Sequence, residues 1–264
     1  MSQSPLHSAR KKLERAEELL NEILDDYKKR NREIVLEPYE IIPERIDDVL
    51  GREWYVLRLP FEPPEPSERW GLLAGDAMHN TRSALDHLAC RLVEHNRKKV
   101  SVRTAFPIWP NEPKNKADRK RFRGAIAGMS APHKKSVRQL QPYANPGSAE
   151  SAKLIAVAAL DNLDKHQILV PLLSTIGGKE AQPPSIESDL ASQFDYLWNA
   201  GEVATKGVEL LRFSPRGPIG TIHHIGLPIP IRATFGDTTT GLRELREIRA
   251  YVVGIVESFA PELG

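Results

Sequence analysis

The sequence of 264 residues predicts an α+β fold, in which a helical bundle core is packed with a mainly antiparallel sheet. Two observations predict it. Apolar residues recur every three or four positions in four long segments, which is the spacing of a helix that packs by one face. Between these segments lie shorter stretches rich in β-branched and aromatic residues and bounded by proline or glycine, which is typical of strands. With no internal repeat, we expect a single domain over residues 1–264.

Four helices account for the helical part of this prediction, and they lie near residues 7–30, 68–96, 149–167 and 240–260. The first places its apolar residues at helical spacing among many charges, the second is long and free of proline, and the third is rich in alanine. The segment 97–148 mixes basic charge, proline and short helical pieces, so we expect an elaborated connection there.

Strands are expected in the remaining stretches. EIVLEPYEII and REWYVLRL lie between the first two helices and should pair antiparallel, and ILVPLL follows the third helix. Pro171 in ILVPLL implies an edge position or the end of a strand, because proline has no N–H to donate to a neighbour. Residues 205–234 predict two more strands around the turn SPRGPIG, and residues 177–186 predict a loop.

Composition restricts the class of protein. Hydrophobic residues make up 40% of the chain and charged residues 27%, which is ordinary for a globular protein. The single cysteine, Cys90, excludes an intramolecular disulfide framework and favours a reducing compartment, so we expect a cytoplasmic protein. The first residues lack the apolar stretch of a signal peptide, and no apolar run is long enough for a membrane span. We expect no membrane insertion.

The net charge of +2 conceals a strongly basic segment. Residues 97–138 hold 13 lysines and arginines against the two acids Glu112 and Asp118, a local net charge of +11. A solvated basic loop is one interpretation, since runs of like charge are usually solvent-exposed. The other is a surface that attracts nucleic acid, because clustered cations suffice to bind a phosphate backbone. RNA is therefore a candidate partner of this segment.

The most informative stretch is DAMHNTRSALDHLAC, residues 76–90, in the second helix. At about 100° per residue, its polar side chains share an arc of about 120°, and the opposite side is apolar. These polar residues are short or carry imidazole rings, so they lose little side-chain entropy when they are held in place. The face is formed by Asp76, His79, Asn80, Ser83, Asp86, His87 and Cys90. The helix therefore predicts either a site or a network of fixed polar contacts.

Two other interpretations of this face stay open. One is a buried network, in which Asp86 or Asn80 satisfies groups on a neighbouring helix and His87 is a structural core residue. The other is a metal site, since imidazole, carboxylate and thiolate groups all bind zinc. The spacing disfavours a metal, because His79 and His87 are eight residues apart rather than the three or four that place two ligands side by side.

A second polar motif, LDNLDKHQIL, ends the third helix. Asn162 and His166 are one turn apart there, as are Asp161 and Lys165, which suits an ion pair. These residues have an ordinary explanation as helix-capping groups. The alternative is that Asn162, Lys165 and His166 face Asp86 and His87 across a helix pair and form a pocket suited to general acid–base chemistry. No phosphate-binding glycine loop, nucleophile elbow or dinucleotide fingerprint is present.

Arg82-Ser-Ala-Leu-Asp-His87 resembles the R-x4-6-H motif of HEPN domains, which are helical bundles that commonly dimerise. In many toxin and defence proteins of that family the motif cuts RNA without a metal, and the arginine and histidine act together across the dimer interface. The resemblance implies that Arg82 holds phosphate oxygens and that His87 moves a proton.

The phrases GDAMHNTRSALDHLA, AFPIW, LQPY and LDNLDKHQIL also resemble, in this order, a set of uncharacterised bacterial and phage proteins. The HEPN resemblance implies a metal-independent endoribonuclease of a defence or toxin type, which needs no cofactor and acts as a homodimer. The alternatives are a non-catalytic binding protein and a metal-dependent hydrolase. The expected catalytic residues are Arg82, Asp86, His87 and His166, and the expected substrate-binding residues are Asn80, Asn162 and Lys165.

Overall fold

The structure is a computed structural model, and every structural statement below concerns the residues that it describes. These are residues 4–35, 44–47, 53–59, 62–63, 65–165, 169, 171–175, 185–190, 193–199, 202–226, 231–235 and 240–263.

Runs of helices and runs of antiparallel strands follow one another along the chain, which confirms the α+β class. The four predicted helices are confirmed, and residues 97–148 contain two short helices and a 3₁₀ turn at Pro142–Ala144. None of the described helices is long and apolar enough to cross a membrane. The helices are α1 (His7–Val35), α2 (Glu68–His95), α3 (Lys116–Ala125), α4 (Ala131–Gln139), α5 (Ala149–Asp164), α6 (Leu242–Ser258) and α7 (Ala260–Leu263).

The strand predictions have mixed outcomes. REWYVLRL forms β2, and Pro171 is the first residue of its strand, as predicted. EIVLEPYEII was predicted to be a strand, but α1 continues to Val35, because extending an existing helix adds a hydrogen bond for each residue fixed. Residues 36–43 lie outside the described part of the chain. The strands are β1 (Glu44–Asp47), β2 (Glu53–Arg58), β3 (Pro171–Thr175), β4 (Ser185–Ser188), β5 (Phe194–Trp198), β6 (Glu209–Pro215), β7 (Ile222–Gly226) and β8 (Ile231–Phe235).

The chain divides into two compact units. The helical unit comprises residues 1–25, 69–169 and 242–264, and the strand unit comprises residues 26–68 and 170–241. The single domain expected over the whole chain stays a prediction. All the candidate site residues that the structure describes belong to the helical unit.

The helical unit has a core of aliphatic side chains from α1, α2, α5 and α6. Ion pairs join α1 to α6, for example Arg10 with Glu257 at 2.7 Å and Arg249 with Glu17 at 2.7 Å. The helix α5 begins at a side-chain cap, because the Ser148 hydroxyl accepts a hydrogen bond from the N–H of Ser151. Residues buried to at least 96% include Leu13, Leu20, Ile23, Met78, Leu85, Leu88, Leu92, Leu154, Val157, Leu245, Val252 and Ile255.

The strand unit contains a four-stranded antiparallel sheet in the order β1-β2-β6-β5 and two antiparallel pairs, β3-β8 and β4-β7. Tyr55 of β2 stacks on Phe213 of β6 with ring centroids 5.2 Å apart. Phe213 belongs to a buried apolar cluster against which Ile186 of β4 also packs. Cross-strand aromatic pairs of this kind stabilise a sheet face.

Candidate functional site

The polar arc of α2 divides between two sets of neighbours. On one edge, Asn80 accepts a hydrogen bond from Lys12 of α1 at 3.2 Å. On the other edge, His79 contacts α5, and Arg82 and Asp86 contact the chain that follows α2. Different parts of the helical unit therefore contact the two edges of the arc.

Arg82 and Asp86 together hold the backbone of Phe106, the phenylalanine of AFPIW. The guanidinium of Arg82 donates to the carbonyl oxygen of Phe106 at 2.8 Å, and the N–H of Phe106 donates to Oδ1 of Asp86 at 2.9 Å. The two side chains are one turn apart on α2 and form an ion pair at 3.0 Å. We call this arrangement the Phe106 clamp. It uses an arginine and an aspartate to satisfy both backbone groups of one buried residue.

Burial dominates the electrostatics of the clamp. The Arg82 side chain is only 18% exposed, and its NH1 is buried without a hydrogen-bond partner among the described residues. Burial raises the pKa of the Asp86 carboxyl above its ordinary value, although Arg82 and the N–H of Phe106 act in the opposite direction. Asp161 raises this pKa further and Lys165 lowers it, so Asp86 senses both charged groups of α5.

A second arrangement joins α2 to α5 through His79. Nδ1 of His79 lies 2.9 Å from Oδ1 of Asp161, and Oδ2 of Asp161 lies 2.6 Å from Nζ of Lys165. The Asp161 side chain is 5% exposed, whereas those of His79 and Lys165 are 51% and 53% exposed. We call these residues the His79–Asp161 dyad and its lysine. A buried carboxylate thus fixes one nitrogen of an imidazole whose ring is half open to solvent.

A glycine of α2 lies beside a carboxylate of α5 next to this dyad. A Cβ atom at Gly75 would overlap with the carboxylate of Asp164, so only glycine fits at this position without movement. Burial raises the pKa of Asp164, and the neighbouring Asp76 carboxylate raises it further. The dyad therefore has an acidic border on the side of α2 that leads to its N-terminus.

His87 lies on the α1 side of the polar arc, two turns from His79. Its pKa is lowered first by burial and then by the positive charges of Lys12 and Arg91. These effects favour the neutral imidazole, which is the form that accepts a proton. Eight residues of helix place His87 about 12 Å along the axis from His79. The two rings therefore lie at separate positions on the surface of α2.

The predicted pocket forms only in part. The Asp161–Lys165 ion pair is confirmed, and Lys165 is close enough to Asp86 to affect its pKa. Asn162 is exposed, and the contact with α2 is made by the adjacent Asp161, so the expectation that Asn162 faces α2 stays a prediction. His166 lies outside the described part of the chain.

The sequence interpretation missed the roles of His79 and Asp161. His79 was noted on the polar face, and Asp161 was assigned only an ion pair with Lys165. A signal was present, since Asp161 follows Leu154 by seven residues and Val157 by four, which is the row that α5 buries. An acidic residue on an apolar row needs a partner, and His79 supplies it.

The phrases singled out in the sequence form one connected network. The Phe106 clamp joins α2 to AFPIW, and the N–H of Trp109 in AFPIW donates to Oε1 of Gln141 in LQPY at 3.2 Å. The N–H of Tyr143 donates back to the carbonyl oxygen of Trp109 at 3.3 Å. These contacts fix the path of the chain after α2 and keep it beside the polar arc.

The cations of residues 97–138 lie on the surface. All 13 lysines and arginines are exposed except Lys134, which is half-buried. No ion pair links any of them to an acidic residue in the described part of the chain. The basic charge of this segment is therefore not neutralised within the helical unit.

Within the described residues, no three histidine, cysteine, aspartate or glutamate side chains are placed to hold one metal ion. Comparison of the chain with protein-family models, with curated proteins and with solved structures found no match. The functional interpretation therefore rests on the chemistry of the helical unit itself.

Proposed function

We propose that the protein is a metal-independent endoribonuclease in which His79, oriented by Asp161, accepts the proton from the attacking hydroxyl. The observation that carries the proposal is the 2.9 Å contact between Nδ1 of the half-exposed His79 and the buried Asp161 carboxylate. A carboxylate on one ring nitrogen selects the tautomer that leaves the other nitrogen free to accept a proton. This assignment moves the acid–base role of the HEPN-like motif from His87 to His79.

The reaction follows from the chemistry of RNA, which carries its own nucleophile. The 2′-hydroxyl gives its proton to Nε2 of His79, its oxygen bonds to the adjacent phosphorus, and the bond from phosphorus to the 5′-oxygen breaks. The leaving oxygen takes a proton from water, and the protonated His79 returns its proton to the hydroxide that remains. The products are a 2′,3′-cyclic phosphate and a free 5′-hydroxyl. Lys165, held by Asp161 and half exposed, supplies positive charge beside the phosphate.

Arg82 takes a different role from the one that the HEPN resemblance implies. Its guanidinium is largely buried and donates to the carbonyl oxygen of Phe106. We therefore assign Arg82 and Asp86 to positioning α2 and not to contact with RNA. The homodimer that the resemblance implies stays a proposal, and the mass of the protein in solution tests it. The basic segment 97–138 is the proposed route by which RNA is attracted to the protein.

The test compares His79→Gln with His87→Ala, using a labelled single-stranded RNA in the presence of EDTA. The wild-type protein should leave cyclic phosphate ends, and His79→Gln should lower the rate by about 100-fold or more, the range for loss of a general base. His87→Ala is the matched control on the same helix and should keep most of the activity. Thermal unfolding of each variant checks that it is folded.

Three outcomes decide the assignment. Normal cleavage by folded His79→Gln would refute the role of His79. Loss of cleavage in His87→Ala alone would return the role to the HEPN-like pair. Cleavage that depends on added zinc or manganese would support the third candidate, a metal-dependent hydrolase.

The Phe106 clamp favours a second candidate function, a non-catalytic binding protein whose polar motifs form a structural network. A clamp that satisfies a buried backbone needs no reaction to explain it. This candidate predicts that no RNA is cleaved and that substitutions in the network lower stability by about 1 to 3 kcal/mol each. Absence of cleavage by the wild-type protein, together with such losses, would support it.

A further inference from the structure

A stripe of four cations runs along one face of α3. Its members are three, four and seven residues from the first, so they share an arc of about 100° and a length of about 10 Å. All four are exposed. We call this surface the α3 stripe, and it consists of Lys116, Arg119, Lys120 and Arg123.

The acidic residue within the stripe's own helix already has hydrogen-bond partners. Asp118 lies in the first turn of α3, where its N–H donates to the Asn115 side chain at 2.8 Å and its Oδ2 accepts from the Asn115 amide at 2.7 Å. It therefore belongs to the helix cap. Among the described residues no acidic side chain forms an ion pair with any member of the stripe, so their charge is directed at solvent.

The side chains of the two arginines of the stripe are positioned by hydrogen bonds from Nε. Nε of Arg119 donates to the carbonyl oxygen of Pro113, and Nε of Arg123 donates to the carbonyl oxygen of Arg119, both at 3.2 Å. Each guanidinium keeps its two terminal nitrogens for a ligand. Because the stems are partly ordered before binding, less entropy is lost when a phosphate is bound.

The helix that carries the stripe is anchored firmly. Phe122 is buried and packs edge-on against Trp109, with ring centroids 6.4 Å apart, and also against Tyr143 at 6.3 Å. The guanidinium of Arg121 covers the Trp109 ring at 5.9 Å. The large apolar side chain of α3 thus points into the protein, and no large apolar side chain of α3 is exposed.

We infer that the α3 stripe binds the phosphate backbone of single-stranded nucleic acid. Lysine and arginine at helical spacing suit several phosphates along one strand and carry no preference for base. An anionic membrane is disfavoured, because a helix that binds a membrane surface exposes apolar side chains beside its cations. This inference rests on the proposed function only for the identity of the ligand, which would be RNA. Binding of the phosphate backbone does not itself require cleavage.

The number of contacts fixes the expected salt dependence. If each of the four cations neutralises one phosphate, the logarithm of the binding constant should fall with the logarithm of salt with a slope of about −2.8, since each contact contributes about −0.7 for single strands. At 0.1 M salt, loss of all four contacts should weaken binding by a factor on the order of several hundred.

The experiment measures fluorescence anisotropy of a labelled 2′-O-methyl RNA of about 20 nucleotides, which keeps its phosphates but lacks the 2′-hydroxyl needed for cleavage. The test variant replaces the four residues of the stripe with glutamine. The matched control replaces four exposed cations that have acidic partners, and so removes the same charge from the helical unit: Lys11, Arg15, Arg91 and Arg243.

The stripe variant should lose binding by more than 100-fold and reduce the salt slope by about 2.8, and the control should bind within a few-fold of wild type. Single-stranded DNA of the same length should bind as the RNA does, because the phosphates are shared. Equal losses in both variants would overturn the inference, since only net charge would then matter. Stripe-dependent binding to phosphatidylglycerol vesicles without binding to either nucleic acid would also overturn it.

The experiment can refute the proposed cleavage and the proposed binding independently of each other. Binding of 2′-O-methyl RNA without cleavage of ordinary RNA would contradict the proposed endoribonuclease and support the stripe. Cleavage with no effect of the stripe variant on binding would do the reverse.

Discussion

Replacing Asp86 with alanine tests the Phe106 clamp directly. Oδ1 of Asp86 accepts a hydrogen bond from the N–H of Phe106 and forms an ion pair with Arg82 at 3.0 Å, and Phe106 is fully buried. Asp86→Ala leaves the N–H of Phe106 without its partner, which costs about 1 to 3 kcal/mol. The Asp86 side chain is 37% exposed, so loss of the ion pair adds about 1 kcal/mol or less.

Asp86→Asn separates these two contributions, because the amide oxygen can still accept from Phe106 while the charge is lost. We expect a loss of about 2 to 3 kcal/mol for Asp86→Ala and little or no loss for Asp86→Asn, because burial disfavours the charged carboxyl and outweighs its attraction to Arg82. The assay is urea unfolding followed by circular dichroism, with the slopes compared as well as the midpoints. Glu94→Ala is the control, since Glu94 forms an exposed ion pair on the same helix. Loss of such an exposed pair should cost less than about 0.5 kcal/mol.

The pH dependence provides an independent check on Asp86. Because burial raises its pKa in the folded state, the folded protein holds the proton more tightly than the unfolded chain does. The contribution of this carboxyl to stability is therefore full below about pH 3.9, its unfolded pKa, and decreases as pH rises through the folded pKa. The difference in unfolding free energy between wild type and Asp86→Asn should show this decrease. Equal losses for the alanine and asparagine variants, or a loss in Asp86→Ala no larger than that in Glu94→Ala, would refute the clamp.

Two further predictions concern the neighbours of the dyad. Gly75→Ala must displace the Asp164 carboxylate, so it should stabilise the protein by less than in an Asp164→Ala background, where helix propensity should contribute about 1 kcal/mol; equal effects in both backgrounds would contradict the contact with Asp164. In an NMR titration, His87 should have a pKa below 6.5 that moves back towards it in Lys12→Ala. Since the unfolded chain binds this proton more readily, the contribution of His87 to stability is full above about pH 6.5 and falls as pH drops below it; a His87 pKa above 6.5 would contradict this.

The helices were predictable because their apolar residues repeat at helical spacing. The helix expected near residues 149–167 is Ala149–Asp164, and that expected near 240–260 is Leu242–Ser258. The short strands were harder to predict. Ser185–Ser188 was partly assigned to a loop, because four residues carry little pattern and the pairing with β7 decides their conformation.

The candidate site was predictable as a polar face but not as a set of contacts. Helical periodicity places His79, Asp86 and His87 on one arc, whatever covers them. It cannot reveal that the partner of Arg82 and Asp86 is the backbone of Phe106, 20 residues beyond Asp86, since backbone groups have no signature in the side-chain sequence. The contact between His79 and Asp161, 82 residues apart, depends on the close crossing of α2 and α5.

The clamp and the dyad are electrostatically linked, and this determines how variants of α2 are to be interpreted. Asp86 senses the charges of Asp161 and Lys165, so removing its carboxylate changes the field at the dyad even though Asp86 does not contact His79. Loss of RNA cleavage in Asp86→Ala would therefore not make Asp86 catalytic. Asp86→Asn in a protein that remains folded distinguishes the two effects: a shift of the pH profile with the maximal rate retained indicates the field, whereas loss of the maximal rate at every pH indicates a direct role in the reaction.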